Sequence, residues 1–141
     1  MAALTTTAVV LITLVWVAVI GAADAKLTFV EVHFDSIGGV DGLWDVKSVA
    51  VSPDGKHLYA AGFTDSAVGV FSRDPTTGAL TFLESQRDDA EGVDGLGGVR
   101  FVTVSPDGKH LYAASQTDNA VAVFSRNSTT GSLTFVEAQQ D

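Results

Sequence analysis

The sequence contains no cysteine and few basic residues: 8 Lys and Arg stand against 17 Asp and Glu, which gives a net charge of −9. Without cysteine, the chain has no disulfides, no thiolate chemistry and no zinc site with cysteine ligands. The basic residues are scattered, which argues against nucleic acid as a partner because contact with a phosphate backbone needs clustered Lys and Arg. With 46% of its 141 residues hydrophobic, the chain has enough apolar side chains to form the core of one domain.

The N-terminus carries the longest apolar run, from Ala8 to Ala23, which only Thr13 interrupts. This run is slightly short for a membrane-spanning helix, which needs roughly 20 residues. A small-x-small pattern at residues 23–25 suits cleavage before Lys26, although no Lys or Arg precedes the run. We therefore predict a hydrophobic signal helix in residues 1–25 and a secreted, periplasmic or extracellular protein. An uncleaved membrane anchor is the second choice.

An internal repeat organises the rest of the chain. The stretch Val51–Ala61 returns almost unchanged as Val104–Ala114, 53 positions later. Residues 47–83 align with residues 100–136 without a gap, and 26 of 37 positions are identical. The region 26–141 therefore contains repeat 1 (27–79), repeat 2 (80–132) and the start of a third repeat (133–141). A repeat of this length predicts a repeat architecture.

Each repeat reads as four short antiparallel strands. In repeat 1 they are predicted at Ser48–Ser52, His57–Ala61, Ala67–Ser72 and Ala79–Leu83, where alternating apolar residues lie between turn signals. Ser52-Pro-Asp-Gly55 is a type I turn sequence with a glycine suited to a left-handed exit. The connection Glu84–Gly98, rich in glycine and carboxylates, is predicted as a surface loop. Leu27–Val32 is predicted as a fourth strand that has no blade before it.

Four short strands in each repeat are typical of a β-propeller blade. Ala60, Ala61 and Gly69 would allow neighbouring sheets to approach closely. The predicted fold is therefore all-β, with two propeller-type blades that form an incomplete ring. A plain two-sheet sandwich is the alternative.

Three segments carry a resemblance to a known family: the Ser-Pro-Asp-Gly-Lys-His-Leu-Tyr-Ala-Ala stretch, residues 118–126 and residues 129–135. They resemble the repeat of the lactonase-type seven-bladed β-propellers, which include the propeller 6-phosphogluconolactonases. The resemblance covers residues 27–141. It implies a blade more specifically than an activity, because the matching residues are those that build hairpins. No catalytic residue is carried over.

Two functions follow as hypotheses. The first is an exported scaffold or binding module, since near-identical blades offer no singular site. The alternative is a lactonase of the 6-phosphogluconolactonase type that hydrolyses a sugar lactone. No cofactor or metal is predicted, and the catalytic residues are left unknown. The expected partners are other propeller blades or copies of the chain that complete the ring, together with a protein or carbohydrate ligand. The chain is expected to be a piece of a longer propeller or to oligomerise, and not to be a well-behaved monomer.

The candidate chemical residues each have a structural explanation. His57 and His110 are equivalent and are predicted to open the second strand of each blade, and His33 is predicted in a surface loop or at a strand end. Ser52 and Ser105 are predicted to hydrogen-bond their turns. Carboxylates that could hold calcium are predicted to form a solvated acidic loop instead; they are Asp88, Asp89, Glu91 and Asp94, with Asp35 and Asp41 more thinly placed.

The basic residues show no arrangement around a substrate. Arg73 and Arg126 are equivalent, whereas Arg87 and Arg100 are not placed together by the sequence. The glycines of residues 92–98 do not match a phosphate-binding loop. Asn127-Ser-Thr129 matches an N-glycosylation acceptor in an exposed turn.

Overall fold

The computed structural model describes residues 27–141. The predicted signal helix or anchor of residues 1–25 lies outside these residues. The described part of the chain contains no helix, and so none that is long and apolar enough to cross a membrane.

The described residues form eight strands in two sheets of four, each in the order of the sequence. The first sheet contains β1 (Val46–Val51), β2 (His57–Gly62), β3 (Ala67–Arg73) and β4 (Leu80–Arg87). The second sheet contains β5 (Val99–Val104), β6 (His110–Ser115), β7 (Ala120–Arg126) and β8 (Leu133–Gln140). All neighbouring strands pair antiparallel, so the predicted all-β fold with two four-stranded units is confirmed.

The two sheets pack face to face, and the closest approach between them is made by their first strands, β1 and β5. Propeller blades are arranged radially around a central channel. Because radial blades converge towards the channel, the strands of closest approach, β1 and β5, are those nearest the ring axis. One core cluster fills the space between the sheets, with Tyr59 and Val70 on one side and Leu111 and Phe124 on the other. Of the small residues predicted to allow close approach, Ala61 lies in this core between the sheets, whereas Ala60 is buried on the other face of the first sheet.

The hairpins form as their turn residues dictate. Gly55 and its counterpart Gly108 have positive φ angles of 72° and 71°, as the predicted left-handed exit requires. The Ser52 hydroxyl donates to the Asp54 carboxylate over 2.6 Å and accepts from the His57 amide over 3.0 Å. Ser105 makes the same two contacts in the second sheet, so both serines act in their turns as predicted.

Two predicted segments differ in the structure. Residues 84–87 are not loop, because β4 pairs with β3 as far as Arg87, past a bulge at Leu83 that has no partner in the register. Within the rest of that connection, Val93 and Leu96 are buried in the core. The segment Leu27–Val32 is not a strand in the structure, because residues 27–141 include no preceding blade that could pair with it.

Candidate functional site

Two cations meet at the end of the sheets where β1 and β5 begin, which we call the upper rim. Lys47 and Arg100 are the second residues of these strands and occupy equivalent repeat positions. The Lys47 Nζ lies 5.5 Å from the centroid of the Phe63 ring, and the Arg100 guanidinium carbon lies 5.2 Å from it. Both distances are typical of cation–π contacts. Phe63 therefore holds two positive charges beside one aromatic ring, close to the strands that lie nearest the axis.

The loop that leads into β1 is fixed by carboxylates. Asp65 accepts a hydrogen bond from the Trp44 amide over 2.9 Å. Arg87 bridges Asp41 at 2.6 Å and Asp65 at 3.4 Å. The hydrogen bond that Arg87 donates to Asp41 raises the pKa of Arg87. Asp45 lies 2.6 Å from Lys47, so one of the two cations at Phe63 is partly compensated.

The predicted acidic loop brings three carboxylates together, with Asp118 as a member that the sequence did not suggest. Oxygens of Asp88, Asp94 and Asp118 lie within 4.8 Å of one another. Asp88 accepts from the Leu96 amide over 2.9 Å, and its pKa is raised by burial. These contacts hold the connection to β5, so the carboxylates have a structural explanation.

Of the remaining acidic residues singled out in the sequence, some join a second carboxylate group and others are exposed. Asp35, Asp41 and Asp65 form the equivalent group in the first repeat. Asp35 accepts from the Leu43 amide over 3.0 Å, and this hydrogen bond lowers its pKa. Asp89 and Glu91 are exposed at positive φ angles.

At the opposite end of the sheets, His57 lies in a buried polar cluster around Arg126. The His57 Nδ1 is 2.8 Å from an Arg126 nitrogen. Arg126 also donates to the Tyr59 hydroxyl over 2.6 Å and contacts the Asp54 carboxylate at 3.3 Å. Tyr59 in turn donates to the Gly131 carbonyl over 2.8 Å. The cluster joins the first sheet to the second.

Burial and charge set the pKa values in this cluster. Burial lowers the pKa of His57, and the neighbouring Arg126 charge lowers it further. Burial raises the pKa of Tyr59. Burial alone would raise the pKa of Asp54, but hydrogen bonds from Ser52, the Lys56 amide and Arg126 bring it down to about 2. His57 opens β2 as predicted. It is buried between the sheets, where Arg126 contacts its ring, and this favours a structural role.

The repeat equivalents of Arg126 and His57 are Arg73 in the first sheet and His110 in the second, and both are only partly buried. Arg73 donates to the Gly55 carbonyl over 2.9 Å, as Arg126 does to the Gly108 carbonyl over 2.8 Å. His110 opens β6 and stacks on Tyr112 with ring centroids 6.4 Å apart. Sequence equivalence did not indicate that only one histidine of the pair would be buried.

The remaining residues singled out in the sequence, His33, Arg87, Arg100 and Asn127, have the following surroundings. His33 packs on Phe71, with ring centroids 5.7 Å apart, and lies 3.3 Å from Glu31. Arg87 and Arg100 make separate contacts, as expected. Asn127 is exposed in its turn, and its side-chain oxygen accepts from the Thr129 amide over 2.9 Å.

The Lys47–Phe63–Arg100 group is the part of the site that the sequence interpretation missed. One signal was available: Lys47 and Arg100 are 53 positions apart and keep their positive charge in an acidic chain. Phe63 carried no such signal, because its counterpart in the second repeat is Gln116.

The chain matches solved structures of propellers. The periplasmic gluconolactonase of Pseudomonas aeruginosa is 26% identical with a TM-score of 0.59, over 67% of this chain and 26% of that chain. A protein from Lactobacillus plantarum is 27% identical with a TM-score of 0.59, over 67% of this chain and 28% of that chain.

Sequence comparisons agree with the structural ones. A probable 6-phosphogluconolactonase of Arthroderma benhamiae is 32% identical over 90 residues, which are 60% of this chain and 21% of that protein. The chain thus spans about a quarter of the length of these relatives. The family model "Lactonase, 7-bladed beta-propeller" matches residues 15–141. The chain belongs to the lactonase family of seven-bladed β-propellers.

Proposed function

We propose that the chain supplies two neighbouring blades of a propeller that hydrolyses an anionic sugar lactone. Membership of the lactonase family and the similarity to proteins named as gluconolactonase and 6-phosphogluconolactonase support this class of reaction. The proposal takes up the alternative hypothesis from the sequence and ranks it above a non-catalytic scaffold.

The observation that carries the proposal is the pair of cations at Phe63. Lys47 and Arg100 stand on the two strands nearest the axis, where a ligand in the ring opening would contact both blades. Guanidinium and ammonium groups bind phosphate through charge-assisted hydrogen bonds. The chain is otherwise strongly acidic, with a net charge of −9, so a local pair of cations is the feature that would attract an anionic substrate.

The chemistry of lactone hydrolysis makes use of such a pair. Water adds to the carbonyl carbon of the lactone ring, and negative charge develops on the carbonyl oxygen. The bond between the carbonyl carbon and the ring oxygen then breaks, and a proton moves to the leaving oxygen. Cations near the reacting group stabilise the developing charge, and a cation at the far end of the sugar holds a phosphate. Lys47 and Arg100 are assigned these binding roles.

The test is hydrolysis of 6-phosphogluconolactone by the complete propeller that contains these two blades, compared with uncharged gluconolactone. Each of Lys47→Gln and Arg100→Gln should lower kcat/KM for the phosphorylated lactone by roughly 10- to 100-fold, the equivalent of one charged hydrogen bond. The uncharged lactone should lose less. Lys109→Gln is the matched control, because Lys109 is an exposed residue in the hairpin turn at the opposite end of the sheet.

Two results would contradict the proposal: hydrolysis no faster than in buffer, or an equal loss in the Lys109 control. Hydrolysis no faster than in buffer would favour the scaffold or binding module, which the near-identity of the two repeats supports. That function predicts a ligand that is bound without turnover.

A further inference from the structure

The two sheets pack through two different faces. The first sheet presents face A, whose members include Tyr59, Val68 and Val70. The second sheet presents face B, which receives face A. Its buried members are Val93, Leu96, Val99, Val102, Leu111, Ala113, Ala122, Phe124 and Leu133. Every sheet has both a face A and a face B, and each sheet here uses only one of them in the interface. Within the described residues, face B of the first sheet and face A of the second sheet therefore have no partner sheet.

The open face B of the first sheet repeats the packed one residue for residue. Its members are Val40, Leu43, Val46, Val49, Leu58, Ala60, Gly69, Phe71 and Leu80, and only Gly69 differs, in place of Ala122. Val49 is 58% exposed, whereas its counterpart Val102 is 8% exposed. A cavity of about 340 Å³ lies on this face, lined in part by Leu58 and Phe71.

The open face A of the second sheet has the same main contact residues as the packed face A of the first sheet. Tyr112, Val121 and Val123 match Tyr59, Val68 and Val70. Val121 is 42% exposed, whereas Val68 is fully buried. Phe101 stands where Ser48 accepts a hydrogen bond from the Val102 amide, so that one bond has no equivalent.

The polar cluster is also present a second time, with its parts separated. Arg126 reaches across the interface to Asp54, His57 and Tyr59. Their counterparts on the open face A are Asp107, His110 and Tyr112, and the counterpart of Arg126 is Arg73, beside the open face B. The residues that lock the two sheets together are therefore available at both ends.

A short segment already occupies part of the open face B. The Leu133 amide donates to Glu84 on β4 of the preceding sheet over 2.9 Å. In the same way, the Leu80 amide donates to Glu31, which is 53 positions before Glu84. Residues 30–33 thus stand where the fourth strand of a preceding blade would lie. His33 packs on Phe71, which is buried, whereas Val46 and Val49 of the same face remain 42% and 58% exposed.

We propose that copies of this chain associate head to tail, with the open face A of one copy packed on the open face B of the next. Arg73 of one copy then contacts Asp107, His110 and Tyr112 of its neighbour. Glu137, the repeat equivalent of Glu31 and Glu84, displaces Glu31 from the Leu80 amide. The contact is heterologous, so repetition builds a ring when the rotation closes.

A second copy is the occupant that the two faces select. The internal interface shows that face A fits face B, and the open faces keep its apolar residues and its polar cluster. Exposed apolar faces of this extent are rare on proteins that act alone. The proposal concerns assembly, which is measured by the mass of the particle, whereas the hydrolytic function is measured by turnover, so a failure of one is distinguished from a failure of the other.

The test uses two variants that each block one face of the 141-residue chain. Val49→Glu places a charge on the open face B, and Val121→Glu places one on the open face A. Both residues are exposed in the single chain, so folding should be unchanged, which near-UV circular dichroism checks. By light scattering and sedimentation, the unaltered chain should be an oligomer and each variant a monomer. An equal mixture of the two should form a dimer and nothing larger.

Leu27→Glu is the matched control, since it places the same charge at a residue that is 99% exposed and lies outside both faces. It should keep the assembly of the unaltered chain. Arg73→Met should weaken association by about tenfold or more, as loss of a charged hydrogen bond predicts. A monomeric unaltered chain, association of either variant alone, or a mixture that stays monomeric would each overturn the proposal.

Discussion

The two blades carry nearly the same residues, yet those residues have different surroundings. Tyr59 is completely buried against the second sheet, whereas Tyr112 at the same repeat position is 38% exposed. His57 and His110 differ in the same direction. Burial here is decided by whether a neighbouring sheet covers the face and not by the local sequence. The difference in the free energy of unfolding between equivalent substitutions in the two blades therefore measures what the interface contributes to stability.

The comparison also separates two roles of one arginine position. Arg126 donates to its own hairpin and to the opposite sheet, whereas Arg73 makes only the hairpin contact among the described residues. The hairpin contact belongs to the blade, and the remaining contacts belong to the interface. Substitutions that separate the two roles are made in the Val121→Glu background, so that association does not cover the open face B.

The largest expected difference in the free energy of unfolding is between Leu111→Ala and Leu58→Ala. Leu111 is buried between the sheets, and Leu58 is only partly covered. Truncating a buried leucine costs about 2–5 kcal/mol because a cavity remains. Leu111→Ala should lower the free energy of unfolding by that amount in urea denaturation, and Leu58→Ala by less than half as much. Equal losses would mean that the two faces are equally covered in solution.

The next difference is between Gly131→Ala and Gly78→Ala. Both glycines have positive φ angles, 81° and 82°, so both substitutions carry a backbone cost of about 1–2 kcal/mol. A methyl group on Gly131 would also overlap the His57 ring, whereas a methyl group on Gly78 meets no atom within 4 Å. Overpacking costs about 1–3 kcal/mol more. The pair of melting curves should therefore separate, with the Gly131 variant less stable.

Double substitution sharpens this test. Combining Gly131→Ala with His57→Ala should recover the overpacking part of the loss, because the methyl group then has room. A loss that stays the same in the His57→Ala background would place the strain in the turn and not at the interface.

The strands and turns of each blade could be predicted from the sequence because the residues that specify them are close together in the chain. Turn residues such as Pro53 and Gly55 and the alternation of Val68 and Val70 specify hairpins without reference to any other sheet. The bounds of β4 were harder to predict. Its pairing continues past a bulge at Leu83, and the polar residues that follow the bulge resemble a loop in sequence.

The candidate site could not be predicted in the same way, because it depends on how one sheet lies against the next. Lys47 and Phe63 are 16 positions apart in one repeat, and Arg100 is in the other, so only packing of the sheets brings them together. The buried state of His57 likewise depends on Arg126, which is 69 positions away. Local patterns contain no information on either arrangement.

The smallest predicted effect is on pH dependence, and it again compares the two histidines. Burial lowers the pKa of His57 below its ordinary 6.5, so the unfolded chain binds the proton more readily than the folded one. The stabilisation is complete above pH 6.5 and is lost as the pH falls below it. The slope is at most about 1.4 kcal/mol per pH unit for one group.

His57→Gln should remove this slope from urea denaturation between about pH 5 and pH 7, whereas His110→Gln should leave it unchanged. Below about pH 4 both variants should lose stability again, because the pKa of Asp54 is about 2 in the folded chain and 3.8 ordinarily. If His110→Gln altered the upper slope as much as His57→Gln, the second histidine would also be buried in solution. The open faces would then be covered even in the Val121→Glu background.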